Sequence, residues 1–146
     1  MKVEFKLEPE LDDPYAEIHA AELTRTIEEA MRLLVGSPGK AFVGVLDKKS
    51  YLLDPKQIIC FFCEGQYVYA RTAEGRFSVR ERIYEIEKQL VSSSFLRISS
   101  SAIANVDKIE SLEMSLNGTM RIAFKDGTSE YSSRRYVAKI KGFLGL

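Results

Sequence analysis

The sequence predicts a mainly β fold, α+β overall, and three observations carry that expectation. After residue 39 the apolar pattern falls to a period of two, in short runs each ended by a turn signal. Asn117-Gly118 and Asp126-Gly127 lie between such runs, where hairpin-turn dipeptides belong. Helical spacing is confined to three short stretches, near residues 23–34, 81–90 and 134–141.

In chain order, Val3, Phe5 and Leu7 alternate with Lys2, Glu4, Lys6 and Glu8, as in a half-buried strand. Asp12-Asp13-Pro14 signals a turn, and residues 15–20 can pair back as a second strand. Leu23, Ile27, Ala30, Met31 and Leu34 then share one helix face. Thr24 or Thr26 can cap its start, and Glu28 and Glu29 suit its first turn. Gly36-Ser37-Pro38-Gly39 stops the helix and marks the best domain boundary. Residues 1–38 are thus expected to be an N-terminal strand–helix segment, and residues 39–146 the main domain.

Beyond the boundary, residues 41–46 predict a strand and Asp47-Lys48-Lys49-Ser50 a turn. Strands over 51–53 and 57–63 are separated by Asp54-Pro55. Glu64-Gly65-Gln66 turns into a strand over 67–72, and Glu74-Gly75 into one over 76–80. Residues 81–90 predict a helix with Ile83, Ile86 and Leu90 on one face. Ser92-Ser93-Ser94 leads into a strand over 95–98, and residues 99–105 read as a polar loop with Ile103 inserted. A strand over 108–116 turns at Asn117-Gly118, both central residues expected at positive φ, and returns over 120–125. Asp126-Gly127 turns into 129–132, and Ser133 can cap a helix over 134–141 ended by Gly142.

The formal net charge is zero, but it is unevenly spread. Residues 1–38 hold four Lys/Arg and nine Asp/Glu, residues 39–94 nine and seven, and residues 95–146 eight and five. An acidic N-terminal part therefore precedes a mildly basic remainder, the pattern of a chain whose second part meets a polyanion. No apolar run is long enough to span a bilayer, and the N-terminus lacks the apolar core of a secretion signal. A cytoplasmic protein is the expectation.

Catalytic chemistry finds little to work with. No glycine-rich phosphate loop is present, and the one histidine, His19, has no nucleophile motif beside it. Adjacent carboxylates such as Asp12-Asp13 and Glu28-Glu29 do not face each other across a cleft. Cys60 and Cys63 form a CxxC inside a strand, so they point to opposite faces, and a closed zinc site lacks further ligands. No enzyme, no metal site, no cofactor and no small-molecule substrate is expected.

Two ordered segments remain. One is Phe95-Leu96-Arg97-Ile98-Ser99-Ser100-Ser101-Ala102-Ile103-Ala104-Asn105, followed by Val106-Asp107-Lys108-Ile109. The other is Ser132-Ser133-Arg134-Arg135-Tyr136-Val137-Ala138-Lys139-Ile140-Lys141. Together with Tyr67-Val68-Tyr69-Ala70-Arg71-Thr72 and Phe77-Ser78-Val79-Arg80, they resemble the LytTR DNA-binding family from about Leu53 to Leu146. That family's pattern runs aromatic, x, Arg, hydrophobic, a short polar loop, then Asn-x-x-x-Ile, a hairpin, and Ser-Arg-Arg-Tyr near the C-terminus.

The resemblance implies an elongated, mostly β arrangement of small antiparallel sheets with short helices. It further implies a transcription regulator whose loops enter successive major grooves of promoter DNA. The family's base-contacting places fall here on Gln66 or Tyr67, on Ser99 and Ser100, and on Arg134 and Arg135. Lys139 and Lys141 extend the charge. At Ser99-Ser100 many family members carry His, Asn, Arg or Lys, whereas a serine makes one hydrogen bond and no bidentate base pairing. Phosphate or water-mediated contact fits this loop better. The resemblance is to members without a receiver domain, and residues 1–38 show no phosphate-accepting site. Two readings fit the apolar helix face at Leu23, Ile27, Met31 and Leu34: a homodimer contact, or packing on the chain's own sheet. The alternative function is a protein-interaction module that keeps the fold without strong DNA binding.

Overall fold

The computed structural model describes residues 1–12, 15–34, 42–90 and 93–146. Among these residues, three α-helices, α1 (Arg25–Leu34), α2 (Ile83–Gln89) and α3 (Arg134–Leu144), accompany ten strands. The strands are β1 (Phe42–Leu46), β2 (Lys49–Leu53), β3 (Cys60–Glu64), β4 (Tyr67–Thr72), β5 (Gly75–Val79), β6 (Phe95–Ser99), β7 (Ala102–Asn105), β8 (Ile109–Met114), β9 (Met120–Phe124) and β10 (Ser129–Ser132). All pairings are antiparallel. Seven strands form one sheet in the order β2-β1-β5-β4-β3-β7-β6, and three form a second in the order β10-β9-β8. The chain is mainly β and α+β overall, as the periodicity predicts.

The large sheet is buried on both faces, and period-two alternation sorts its side chains between two cores. On one face α2 lays Ile83, Ile86 and Leu90 against Phe42, Phe61, Phe77 and Ile103. On the other, the small sheet and α3 bury Met120, Ile122, Phe124 and Ile140 against Ile59, Cys60, Leu96 and Ile98. Tyr136 and Val137 pack on this second core, as the apolar face of that helix predicts. The CxxC is split by the same alternation, with Cys60 buried and Cys63 exposed. Burial pushes the Cys60 thiol up to about 12, against the opposing pull of Arg71.

Several expectations are corrected. Residues 3–7 and 15–20 form no strand, and Val3, Phe5 and Leu7 are exposed, Phe5 by 85 %. An alternating apolar pattern makes a strand only where a neighbour accepts its backbone hydrogen bonds, and none of the sheet strands pairs with this segment. Residues 99–105 are not a polar loop but a tight turn followed by β7, whose four residues are all buried. Lying between β3 and β6, this strand is covered on both faces, so it has no alternation to read. Strand β3 starts later than expected because Pro55–Gln57 make a 3-10 turn, capped by the Asp54 side chain accepting from the Lys56 N–H at 3.0 Å. Helix α3 runs through Gly142 and stops at Gly145, which takes the left-handed cap conformation. Thr24 caps α1, its hydroxyl accepting from the Ile27 N–H at 3.4 Å. The stop signal at residues 36–39, the 38/39 boundary, Pro14 and Ser92 lie outside the described residues.

The turns also differ in type. At Asn117-Gly118 and Asp126-Gly127 only the glycine has positive φ, 85° and 87°. The Gly118 N–H donates to Ser115 O and the Gly127 N–H to Phe124 O. Each is a type I turn followed by a left-handed glycine, the three-residue hairpin loop. Asn117 Oδ1 and Asp126 Oδ1 each accept from the N–H and the hydroxyl of the threonine two residues on. The two-positive-φ turn occurs instead at Asp47 and Lys48, with φ of 51° and 64°, so Lys49 and Ser50 belong to β2.

Candidate nucleic-acid interface

Sheet register gathers the distant segments at one end of the molecule. Strand β3 runs into the Gly65-Gln66 turn, with Glu64 opposite Tyr67. Gly65 has φ of 62°, which a two-residue hairpin turn requires at its first position. Phe62 pairs with Ala102, so the β6–β7 turn emerges beside the β3–β4 turn. The Cys63 N–H donates to Ser101 O at 2.9 Å and ties the two together. Beside β6, the Ser133 N–H donates to Ile98 O at 3.1 Å, which sets the start of α3 next to the same turn. The Arg134 side chain lies over the β8–β9 turn, where a Cβ on Gly118 would sit 3.6 Å from Arg134 Cγ.

All seven sequence-predicted site residues lie on these segments. Gln66 and Tyr67 are exposed, Tyr67 by 65 %. Arg134, Arg135 and Lys139 are exposed on α3, with Arg135 and Lys139 one turn apart on its outer face. The Arg135 guanidinium lies 5.2 Å from the Tyr136 ring centre, and its Nη2 donates to the Tyr136 hydroxyl at 3.3 Å. A half-buried tyrosine therefore aims this arginine. Ser99 and Ser100 differ. Ser99 Oγ is engaged inside the turn, accepting from the Ser101 N–H at 3.2 Å and lying 3.3 Å from Ser101 Oγ. Ser100 is the serine presented to solvent.

Two features escaped the sequence reading. Tyr67, Tyr69 and Phe62 form a ladder on the face of the large sheet that carries α3, with ring centres 6.5 Å and 5.6 Å apart. Arg76 stacks on Tyr69 at 4.6 Å and pairs with Glu64, and Arg71 stacks on Phe62 at 4.8 Å. Alternation in 67–72 places Tyr67, Tyr69 and Arg71 on one face, but pairing with β5 and β3 is needed to bring Arg76 and Phe62 to them. The second is Arg97, a member of the motif, whose guanidinium turns inward onto the backbone of the β6–β7 turn.

The turns and a basic helix start thus meet at one end of a two-faced antiparallel sheet. The sequence profile of the LytTr DNA-binding domain matches residues 48–145. The chain belongs to the LytTR DNA-binding family. Relatives include an uncharacterized HTH-type transcriptional regulator of Staphylococcus aureus strain NCTC 8325, 32 % identical over 100 % of this chain and 99 % of its own length. Its counterpart in strain MRSA252 is 31 % identical over the same shares. The solved LytTr DNA-binding domain of a Bacillus cereus protein superposes with a TM-score of 0.70, at 18 % identity, over 73 % of this chain and 98 % of that one. The relatives' names speak of a helix-turn-helix. In this chain α1, α2 and α3 are separated from one another by strands, so no such pair occurs among the described residues.

Proposed function

We propose that this chain is a cytoplasmic transcription regulator that binds promoter DNA as a homodimer. The turns at 65–67 and 99–101 and the start of α3 enter successive major grooves. The observation that carries this reading is their convergence at one end, held by the Cys63–Ser101 and Ser133–Ile98 backbone hydrogen bonds. Arg134, Arg135 and Lys139 bring positive charge to that end, and free N–H groups at a helix start favour phosphate. Arg135, already aimed by Tyr136, supports bidentate reading of a guanine. Ser100 has one hydroxyl to offer and fits a phosphate or water-bridged contact. The acidic charge of residues 1–38 favours their staying clear of the duplex.

The dimer reading rests on the N-terminal part. Leu23, Ile27, Met31 and Leu34 of the α1 face line an open apolar cleft of about 850 Å³ together with Tyr15, Ile18 and Leu52. Of the lining residues, Leu23 and Leu34 are exposed. Apolar surface lining an open cleft marks an interaction site. A second copy is the occupant that a two-fold DNA site calls for.

Footprinting and a salt titration on the DNA upstream of the coding region test the function. Specific binding with log K falling steeply as log salt rises is expected. Arg135→Ala should cost about 1–3 kcal/mol and relax preference at one base pair. Micromolar binding indifferent to sequence would favour the protein-interaction reading and reject this one.

A further inference from the structure

Arg97 is a charged side chain drawn into the protein beside the segment expected to meet DNA. Its side chain is only 14 % exposed, on the sheet face covered by α2. The Nε–H donates to Ser99 O at 2.7 Å and Nη2 donates to Ser100 O at 2.8 Å. On its far side, Nη1 lies 3.4 Å from Glu87 Oε2 of α2. Ladder pairing slips between Arg97 and Ser99, so the carbonyls of Ser99 and Ser100 stand at an irregularity of the β6–β7 ladder. A guanidinium offers donors in a fixed planar fork, which suits two carbonyls and a carboxylate at once. An ammonium group cannot reproduce that fork.

We propose that Arg97 is a positioning residue for DNA recognition, fixing the backbone of residues 99–101 so that the Ser100 hydroxyl is presented in a single geometry, and anchoring that turn to α2 through Glu87. The proposal rests on the functional reading above. It follows from the weakness of serine at this position: a water-bridged hydrogen bond adds to specificity only if the hydroxyl that makes it is held still. The Ser99 hydroxyl, by accepting from the Ser101 N–H, holds the same turn from inside.

The test uses the full chain with Arg97→Lys, Arg97→Ala and Glu87→Gln. Specific and non-specific DNA affinity, the salt slope, and amide hydrogen exchange in the DNA-free protein are measured. Arg97→Lys should weaken specific binding about tenfold or more, since it loses charge-assisted hydrogen bonds. Non-specific affinity and the salt slope should stay unchanged, because Arg97 faces the protein and not phosphate. The Ser101 amide should exchange faster while the β3 amides keep their protection. Glu87→Gln should show the same signature at about two- to fivefold, and it keeps the test alive if Arg97→Ala does not fold. Wild-type affinity in Arg97→Lys, a salt slope reduced by about one, or unchanged Ser101 exchange would each overturn the role of Arg97. A wild-type chain without specific binding would instead bring down the functional reading, and the proposal with it.

Discussion

Asn105 illustrates how much one side chain holds in this fold. It is 2 % exposed, and its Nδ2 donates to Ile58 O at 2.8 Å while its Oδ1 accepts from the Asp107 N–H at 3.0 Å. Its own N–H donates to Ile59 O at 2.9 Å. The residue thus closes the end of β7 against the entry to β3 and caps the 3-10 turn at Val106–Lys108. Asn105→Ala removes both side-chain bonds and leaves a buried carbonyl unpaired. A loss of about 2–3 kcal/mol in denaturant unfolding is expected, whereas a change below about 0.5 kcal/mol would mean the site relaxes freely. The sequence shows the asparagine as part of a motif but not its use, because both partners lie across the chain fold or in the following turn. Asp126 is a milder case. Burial pushes its carboxyl up, but the Thr128 hydroxyl and amide and the Arg71 guanidinium outweigh this and hold it below its ordinary value.

Turns and strands differ in how far they can be read. The β3–β4 and β4–β5 hairpins follow their glycine signals because a local φ demand selects the residue. The β1–β2 turn carries no glycine, yet Asp47 and Lys48 both take the left-handed conformation. A β-branch-free lysine tolerates this at a cost. Lys48→Gly removes that strain and should raise stability by about 0.5–1 kcal/mol, measured as a higher denaturant midpoint with an unchanged slope. A lower midpoint would show that the Lys48 side chain contributes more than its backbone strain takes away. Strand β7 gives the opposite lesson. Its Ala-Ile-Ala-Asn run has no alternation, and its place between β3 and β6 makes it a strand.

At the scale of the whole molecule, the two sheets are joined through one core and one ion pair. Arg71 of β4 stacks on Phe62 and donates from Nη2 to Glu130 Oε1 of β10 at 3.2 Å, across from the large sheet to the small one. The same packing that joins the sheets sets α3 beside β6 and so builds the basic end. The α1 face lies outside this core and lines a cleft together with Leu52 of β2. Leu23 is 54 % exposed on that face. On the dimer proposed above, Leu23→Asp should therefore leave the fold intact and, in sedimentation equilibrium, shift the full chain from dimer to monomer. A variant that sediments as the wild-type chain does would remove α1 from the proposed interface.

Residue order alone was enough for the mainly β class, most strand positions, the two Asx-Gly hairpins and the ordered motifs that resemble the LytTR family. These are local matters, decided by side-chain period and by the few residues that accept unusual φ. Long-range pairing decided the rest. It placed Gln66, Ser100 and Arg135 at one end, turned Arg97 onto carbonyls two and three residues away, and withheld a partner from the alternating run at Val3, Phe5 and Leu7. Each of those outcomes depends on which backbone hydrogen bonds and which apolar faces meet across the fold; even where the partners are close in sequence, as for Arg97, the slip of the β6–β7 ladder and Glu87 of α2 set the contact.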